Sequence, residues 1–407
     1  MEPTNILIGI VGKTNTGKST FFSAATEIAV PIENRPFVTI DPNVGITHAR
    51  KTCVHVELGL PGCDPGNSFC KRGQRFIPVK IIDVAGLVPG AHEGRGLGNR
   101  FLDHVRRADV LLLVVDASGS TDEEGRPVKP GSYDPVEEVR QMVFEFEEWL
   151  FSIIAKDWER IARQLDTSVA LDAAGSIAQR LSGLGVTRRQ VAEAIMLSGL
   201  ENKRFSSWSK EELRAFASRL RELSKPLVIV ANKVDVSPAE ENVRRLREEY
   251  KGVPVMPTSA LSELALRRAA SKGLIDYLPG DREFQVISPL PPEVKRVLDR
   301  VADITRRWGS TGVQEAINTA LFDSLSLIPV YPVEDPNKFT DKQGRVLPDV
   351  LLVPKGTKAR ELAYRIHTEL GETFLYAINA KTKQRVGESY ELKESDVIKI
   401  VASGARR

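Results

Sequence analysis

Four short groups of residues could carry chemistry in this chain. The segment Gly12-Lys13-Thr14-Asn15-Thr16-Gly17-Lys18-Ser19, followed by Thr20, fits G-x-x-x-x-G-K-[ST]. Such a loop wraps a polyphosphate: its glycines let backbone N–H groups approach, Lys18 reaches the terminal phosphates and the Ser19 hydroxyl can ligate Mg²⁺. Asp83-Val84-Ala85-Gly86 offers a carboxylate that can hold Mg²⁺ through water, and a glycine N–H for a γ-phosphate. In Asn232-Lys233-Val234-Asp235 the Asp235 carboxylate can accept two hydrogen bonds from guanine N1 and N2, which adenine does not offer, while the Lys233 stem covers the base. Ser259-Ala260 can present a backbone N–H to the base oxygen. The last three groups are weak alone; all four in this order point to a purine nucleotide triphosphate site.

The elements around these groups fit that reading. A buried-strand run, Ile6 to Val11, precedes the glycine-rich loop, and a helical stretch from Ser19 to Ile28 follows it. Apolar runs at Val79 to Ile82, Val110 to Val115 and Leu227 to Ala231 do not alternate with polar residues, so they read as strands buried on both faces of a mostly parallel sheet. The expected fold is therefore α/β. Between Asp134 and Ser224 helical spacing takes over, and Val139 to Leu165 reads as one long amphipathic helix whose Trp and Phe residues form a core or helix-hairpin seam. Ser209 and Glu212 form a capping box for another helix. Beyond a Pro-rich joint (Pro289, Pro291, Pro292), helical stretches are expected near Val294 to Trp308 and Val313 to Leu325. From Leu327 on, short strands and a helix between Lys358 and Leu370 suggest a small β-grasp domain.

These motifs together resemble the translation-factor-related P-loop GTPases of the Obg family, in the archaeal form of its YchF-like branch. The resemblance implies a GTPase domain at 1–133 and 225–325, an inserted coiled-coil-like helical domain at 134–224 and a C-terminal TGS domain at 326–407. It makes Pro36 to Asn43 switch I, with Thr39 as second Mg²⁺ ligand and Thr47 as the alternative, and Asp83 to Gly98 a glycine-rich switch II. Leu347-Pro348-Asp349 and Asp396 to Ile400 are the TGS-like stretches.

The implied activity is slow GTP hydrolysis in a nucleotide-dependent switch associated with the ribosome or translation machinery, gripped through the helical insert and the TGS domain. Many YchF-like proteins have lost N-K-x-D and use ATP; this chain keeps Asn232, Lys233 and Asp235, so GTP is the first choice and an ATP-preferring relative the alternative. Leu87 stands where Ras-type GTPases carry the glutamine that orients water, so turnover should be slow. His92 is a candidate for that role, against the plainer reading of an exposed loop histidine. Asn15 occupies the position of an asparagine that helps bind K⁺ in related GTPases, or simply turns the loop.

Composition limits the other function classes. The chain has 407 residues, 42% apolar, with 57 basic and 54 acidic side chains. The excess of three lies in residues 327–407, which hold 14 basic and 11 acidic residues, a thin footprint for phosphate backbone. No apolar run is long enough to span a bilayer, and the N-terminus lacks a secretory pattern, so a cytoplasmic protein without membrane contact is expected. Cys53, His55, Cys63 and Cys70 have zinc-compatible ligand types but no compact C-x-x-C pair. Free thiols in a loop or hairpin are expected there, rather than zinc. The rival classes are a kinase-like metabolic enzyme, for which no acceptor site is evident, and a scaffold with a structural nucleotide.

Overall fold

The computed structural model describes residues 6–26, 44–84, 105–167 and 172–403. The all-apolar runs pair as their burial requires. β1 (Leu7–Val11), β5 (Val110–Asp116) and β6 (Leu227–Asn232) are buried along their whole lengths. β5 pairs in parallel with both β1 and β6, and β6 with β7 (Val255–Pro257). With β2 (Val44–Thr52), β3 (Phe69–Lys71) and β4 (Gln74–Asp83), they form a seven-stranded sheet of order β2-β4-β1-β5-β6-β7, with β3 antiparallel to β4.

By contact density the chain forms two compact units, Met1–Ile6 with Ile46–Lys80 and Ile317–Arg407, and Leu7–Gly45 with Ile81–Ala316. β2 and β4 have residues in both. In the second unit Gly12 to Ser19, Asp83, Asn232 to Asp235 and Ser259-Ala260 lie at strand ends and helix starts, the usual place for a ligand in an open parallel sheet. The helix Lys18–Thr26 follows β1, and the helix Ala260–Ser271 follows β7.

The helical stretch after β5 departs from the expected single helix. Pro135–Ala155 begins at Asp134, whose side chain accepts from Val136 N at 3.0 Å, with Pro135 at the first helical position and Glu137 and Glu138 in the first turn. It ends at Lys156, and a second helix, Trp158–Thr167, starts after Asp157 at φ 60°. Aspartate tolerates this left-handed conformation better than most residues. The turn sets Trp158 against Phe205 and Trp208, with ring centroids 6.4 and 5.3 Å away, so aromatic packing outweighs helix continuation. The Trp and Phe stripe is core, with Phe146, Trp149 and Trp158 buried. The Ser209–Glu212 capping box forms as expected at the start of Lys210–Ser224.

β8 (Ile275–Asp276) and β9 (Gln285–Val286) form a short antiparallel pair in the second unit. In the first unit β10 (Leu327–Pro332), β11 (Leu351–Pro354), β12 (Phe374–Asn379), β13 (Gln384–Val386) and β14 (Val397–Ala402) form a five-stranded sheet of order β11-β10-β14-β12-β13. β10 is parallel to β14, the other pairs are antiparallel, and Ala359 and Leu362 of the helix Ala359–Ile366 pack with the sheet in one core. This is the expected β-grasp arrangement. The expected helix between Lys358 and Leu370 is two, because His367 is extended and its imidazole accepts from Glu369 N at 3.3 Å, capping Thr368–Glu372. β2 lacks an apolar run and was not legible as a strand; Thr47, the alternative Mg²⁺ ligand, is buried within it. Among the described residues no helix is long and apolar enough to cross a membrane.

Candidate nucleotide site

The loop after β1 has the backbone that its glycines permit. Gly12 lies at φ 146° and Gly17 at φ 99°. A Cβ would stand 2.3 Å from Val114 O at Gly12 and 2.2 Å from Asn232 Nδ2 at Gly17, so any side chain there would displace the loop. Thr16 is buried, and its hydroxyl donates to Lys13 O at 3.0 Å. Lys18 Nζ donates to the same carbonyl at 2.8 Å. Burial pulls Lys18 below the ordinary ammonium value, against the nearby carboxylates of Asp83 and Glu138. A desolvated cation at the mouth of a turn rich in N–H groups is suited to a polyanion.

Ser19 and Asp83 come together as expected, with Ser19 Oγ donating to Asp83 Oδ2 at 2.9 Å. Burial pushes the Asp83 carboxyl up, against the Ser19 hydrogen bond and Lys18. Its Oδ1 is buried without a hydrogen-bond partner among the described residues. An orphaned carboxylate oxygen beside a hydroxyl is a donor set that fits Mg²⁺, a hard cation preferring oxygen.

One side chain joins the residues expected to read the base to the glycine-rich loop. Asn232 Nδ2 donates to Thr16 O at 2.8 Å, and its Oδ1 accepts from Ala260 N at 3.1 Å. Asp235 is exposed. Ser259 Oγ donates to Asp235 Oδ1 at 2.7 Å, fixing the carboxylate, and Ser259 also caps Ala260–Ser271. Lys233, at φ 64°, donates from Nζ to Asp116 Oδ2 at 2.8 Å.

Several residues that shape the site carry no motif. Asp116, at the end of β5, also accepts from Ser118, Ser120 and Thr121. Burial alone would raise its carboxyl, but the hydrogen bonds from Lys233, Ser118 and Ser120 outweigh it and hold it below the ordinary value. Asn15, at φ 63°, donates from Nδ2 to Gly125 O at 2.8 Å, so it both turns the loop and ties it to the segment after β5. Lys13 is buried, with Nζ 3.0 Å from Glu138 Oε2 and 4.1 Å from the Tyr133 ring centroid. Fully buried Glu263 accepts from Tyr277 at 2.7 Å and from Thr311 at 2.5 Å, and pairs with Arg267 at 2.5 Å. This network backs the turn that holds Ser259, whose N–H donates to Thr311 O at 2.9 Å. The only sequence signal for it was Glu263 and Arg267 at i,i+4 spacing.

Two predictions arise here. Glu263→Ala removes the one buried carboxylate that Arg267, Tyr277 and Thr311 share and should destabilise the fold by about 3–5 kcal/mol, read by urea unfolding. Burial pushes the Glu138 carboxyl up to about 7, against the pull of Lys13. A carboxyl raised on folding holds its proton longer in the folded state than in the unfolded chain. Its contribution to stability is thus full at low pH and falls as pH climbs from the ordinary carboxylate range to about 7. Relative to wild type, Glu138→Gln should therefore remove a downward slope of at most about 1.4 kcal/mol per pH unit across that window. An unchanged slope in denaturant titrations would contradict this.

Of the residues expected in the site, Gly12 to Thr20, Asp83, Asn232, Lys233, Asp235, Ser259 and Ala260 lie at the strand ends, helix starts and loops just described. Thr39, Gly86, Leu87 and His92 lie outside the described residues.

Three family models match: "50S ribosome-binding GTPase" over residues 7–146, "Obg-like GTPase YGR210-like, G4 motif-containing domain" over 230–335 and "TGS domain" over 337–402. An uncharacterized GTP-binding protein of Methanocaldococcus jannaschii is 50% identical over 98% of this chain and 99% of its own length. The crystal structure of a GTP binding protein from Pyrococcus horikoshii OT3 covers 98% of this chain and 100% of that one, with TM-score 0.78 and 42% identity. The ribosome-binding ATPase YchF of Mycoplasma genitalium is 32% identical over 55% of each chain. A motif-bearing loop of this geometry, with kinship running end to end along the archaeal relative, places the chain in the Obg-like, YchF-related family of P-loop GTP-binding proteins.

Proposed function

We propose that the protein is a cytoplasmic, slowly hydrolysing GTPase that acts as a nucleotide-dependent switch on the ribosome or translation machinery. The observation that carries the GTP assignment is Asp235: an exposed carboxylate, held by Ser259 and linked through Asn232 to the phosphate loop. In this reading, Lys18 leaves Lys13 O to meet the β- and γ-phosphates, and Asp235 takes the guanine edge. Ser19, Thr39 and, through water, Asp83 would hold Mg²⁺, which would supply positive charge beside the phosphates. The Gly86 N–H senses the γ-phosphate, and its loss releases the two switch segments. Residues 1–133 and 225–325 form the nucleotide domain, 134–224 the helical insert and 326–407 the TGS domain, the last two gripping the partner.

The name of the Mycoplasma genitalium relative supports a second reading, an ATP-preferring switch. Single-turnover hydrolysis with and without ribosomes tests the switch. Ribosome-stimulated phosphate release from GTP is expected, and no release under any condition would leave a scaffold with a structural nucleotide. The same assay carries two side tests. His92→Ala should slow hydrolysis if the imidazole orients water, and K⁺ should outperform Na⁺ if Asn15 helps hold a monovalent cation.

A further inference from the structure

The side chains of Cys53, His55, Cys63 and Cys70 converge although their spacing gave little sign of it. One ligand atom from each lies within 4.8 Å of all the others. Cys53 Sγ is 3.8 Å from Cys63 Sγ, and Cys70 Sγ is 3.8 Å from His55 Nδ1. The three cysteines are free, and 3.8 Å is far beyond a disulfide bond. It is the edge of a tetrahedron: metal–sulfur bonds of about 2.3 Å place two sulfurs about 3.8 Å apart. We propose that these four residues bind one structural Zn²⁺ in a tetrahedral Cys₃His site.

The local fold explains the convergence. Cys53 stands between β2 and the single helical turn Val54–Glu57, His55 lies in that turn, Cys63 sits on the following loop and Cys70 on β3. The β3–β4 turn, with Arg72 at φ 50° and Gly73 at φ 74°, folds back so that Gly73 O accepts from Cys53 N at 2.8 Å. Ligands distant in sequence are thereby brought to one point, and the loop between them has neither helix nor strand to hold it.

Charge gives an independent argument. Arg75 is fully buried, with Nη1 donating to Cys63 Sγ at 3.4 Å and Nη2 to Leu347 O at 2.6 Å. Among the described residues it makes no ion pair with a carboxylate. A buried guanidinium needs a counter-charge. Three thiolates, a neutral imidazole and Zn²⁺ sum to one negative charge, and an N–H···S bond from a cation is a common outer-sphere partner of such a centre. On binding, three thiol protons pass to solvent as three Zn–S bonds form, with no change in oxidation state.

The site also has a structural task within its own unit. The loop it closes pairs with residues 346–350: Asp64 N donates to Val346 O at 2.8 Å, Gly66 N to Pro348 O at 2.6 Å and Asn67 Nδ2 to Val350 O at 2.9 Å. Zinc would fix this loop where few apolar side chains do so.

The test uses the full chain purified after growth with added zinc. Elemental analysis should find about one zinc per chain, and Cys53→Ser with Cys70→Ser should abolish it. Metal-stripped wild type titrated with Co²⁺ should develop the intense visible bands of tetrahedral, thiolate-bound cobalt, a result independent of how the variants fold. Amide hydrogens of residues 58–71 and 346–350 should exchange faster once zinc is removed. Wild type without stoichiometric zinc, a weak octahedral cobalt spectrum, or zinc retained by the double variant would each overturn the proposal.

Discussion

Asp235→Ala is expected to abolish the preference for GTP over ATP, weakening GTP by about 100-fold while leaving ATP within about threefold. In the proposed complex the guanine N1–H and N2–H₂ would meet a carboxylate that the Ser259 hydroxyl, at 2.7 Å, already orients. Charge-assisted hydrogen bonds of this kind contribute most when the acceptor needs no ordering. Alanine removes the acceptor without removing the pocket, because Asn232 still joins Thr16 to Ala260. Asp235 is exposed, so the fold should lose no more than about 0.5 kcal/mol, and an unaltered melting temperature separates the effect from misfolding. Competition between labelled GTP and unlabelled nucleotides reads it directly. Retained GTP preference in the variant would assign base selection to other groups.

The second large effect belongs to Lys18. Lys18→Ala should lower single-turnover GTP hydrolysis by about 10²–10³-fold, the cost of losing one preorganised charge donor at the transferring phosphate. Triphosphate binding should weaken with it. The Lys18 ammonium is buried and hydrogen-bonded only to Lys13 O in the described structure, where burial disfavours its charge. A polyphosphate restores a counter-charge that the folded chain supplies incompletely through Asp83 and Glu138. The empty loop should therefore tolerate alanine, and the loss should fall on binding and turnover rather than on stability. Phosphate release in a rapid-quench assay, with thermal melts of the free variant, distinguishes the two.

The phosphate loop was legible because its chemistry requires particular residue types at fixed spacing, and because buried β1 and a helix flank it. The parallel strands were legible for a similar reason: β1, β5 and β6 are buried along their full lengths, and such strands must be apolar at successive positions. Asp116 was not legible, since its setting in Asp-Ala-Ser-Gly-Ser-Thr is ordinary turn composition and its role exists only once Lys233 folds across from another strand. Glu263 likewise acquires its partners Tyr277 and Thr311 through tertiary packing. The helix break at Asp157 carries no Pro or Gly to announce it; it is set by the contacts of Trp158 with Phe205 and Trp208. The convergence of Cys53, His55, Cys63 and Cys70 was not legible either. Their long gaps gave no sign of it, because it depends on how the β3–β4 turn and the helical turn Val54–Glu57 fold.

The central claim is that one turn after β1 holds a triphosphate while Asp235 selects guanine. Equilibrium titration of the purified full chain with GTP and with ATP in Mg²⁺ buffer tests it most directly. Saturable binding of one GTP per chain, at least about tenfold tighter than ATP, is the predicted result. Equal affinities, tighter ATP or no binding of either nucleotide would contradict it.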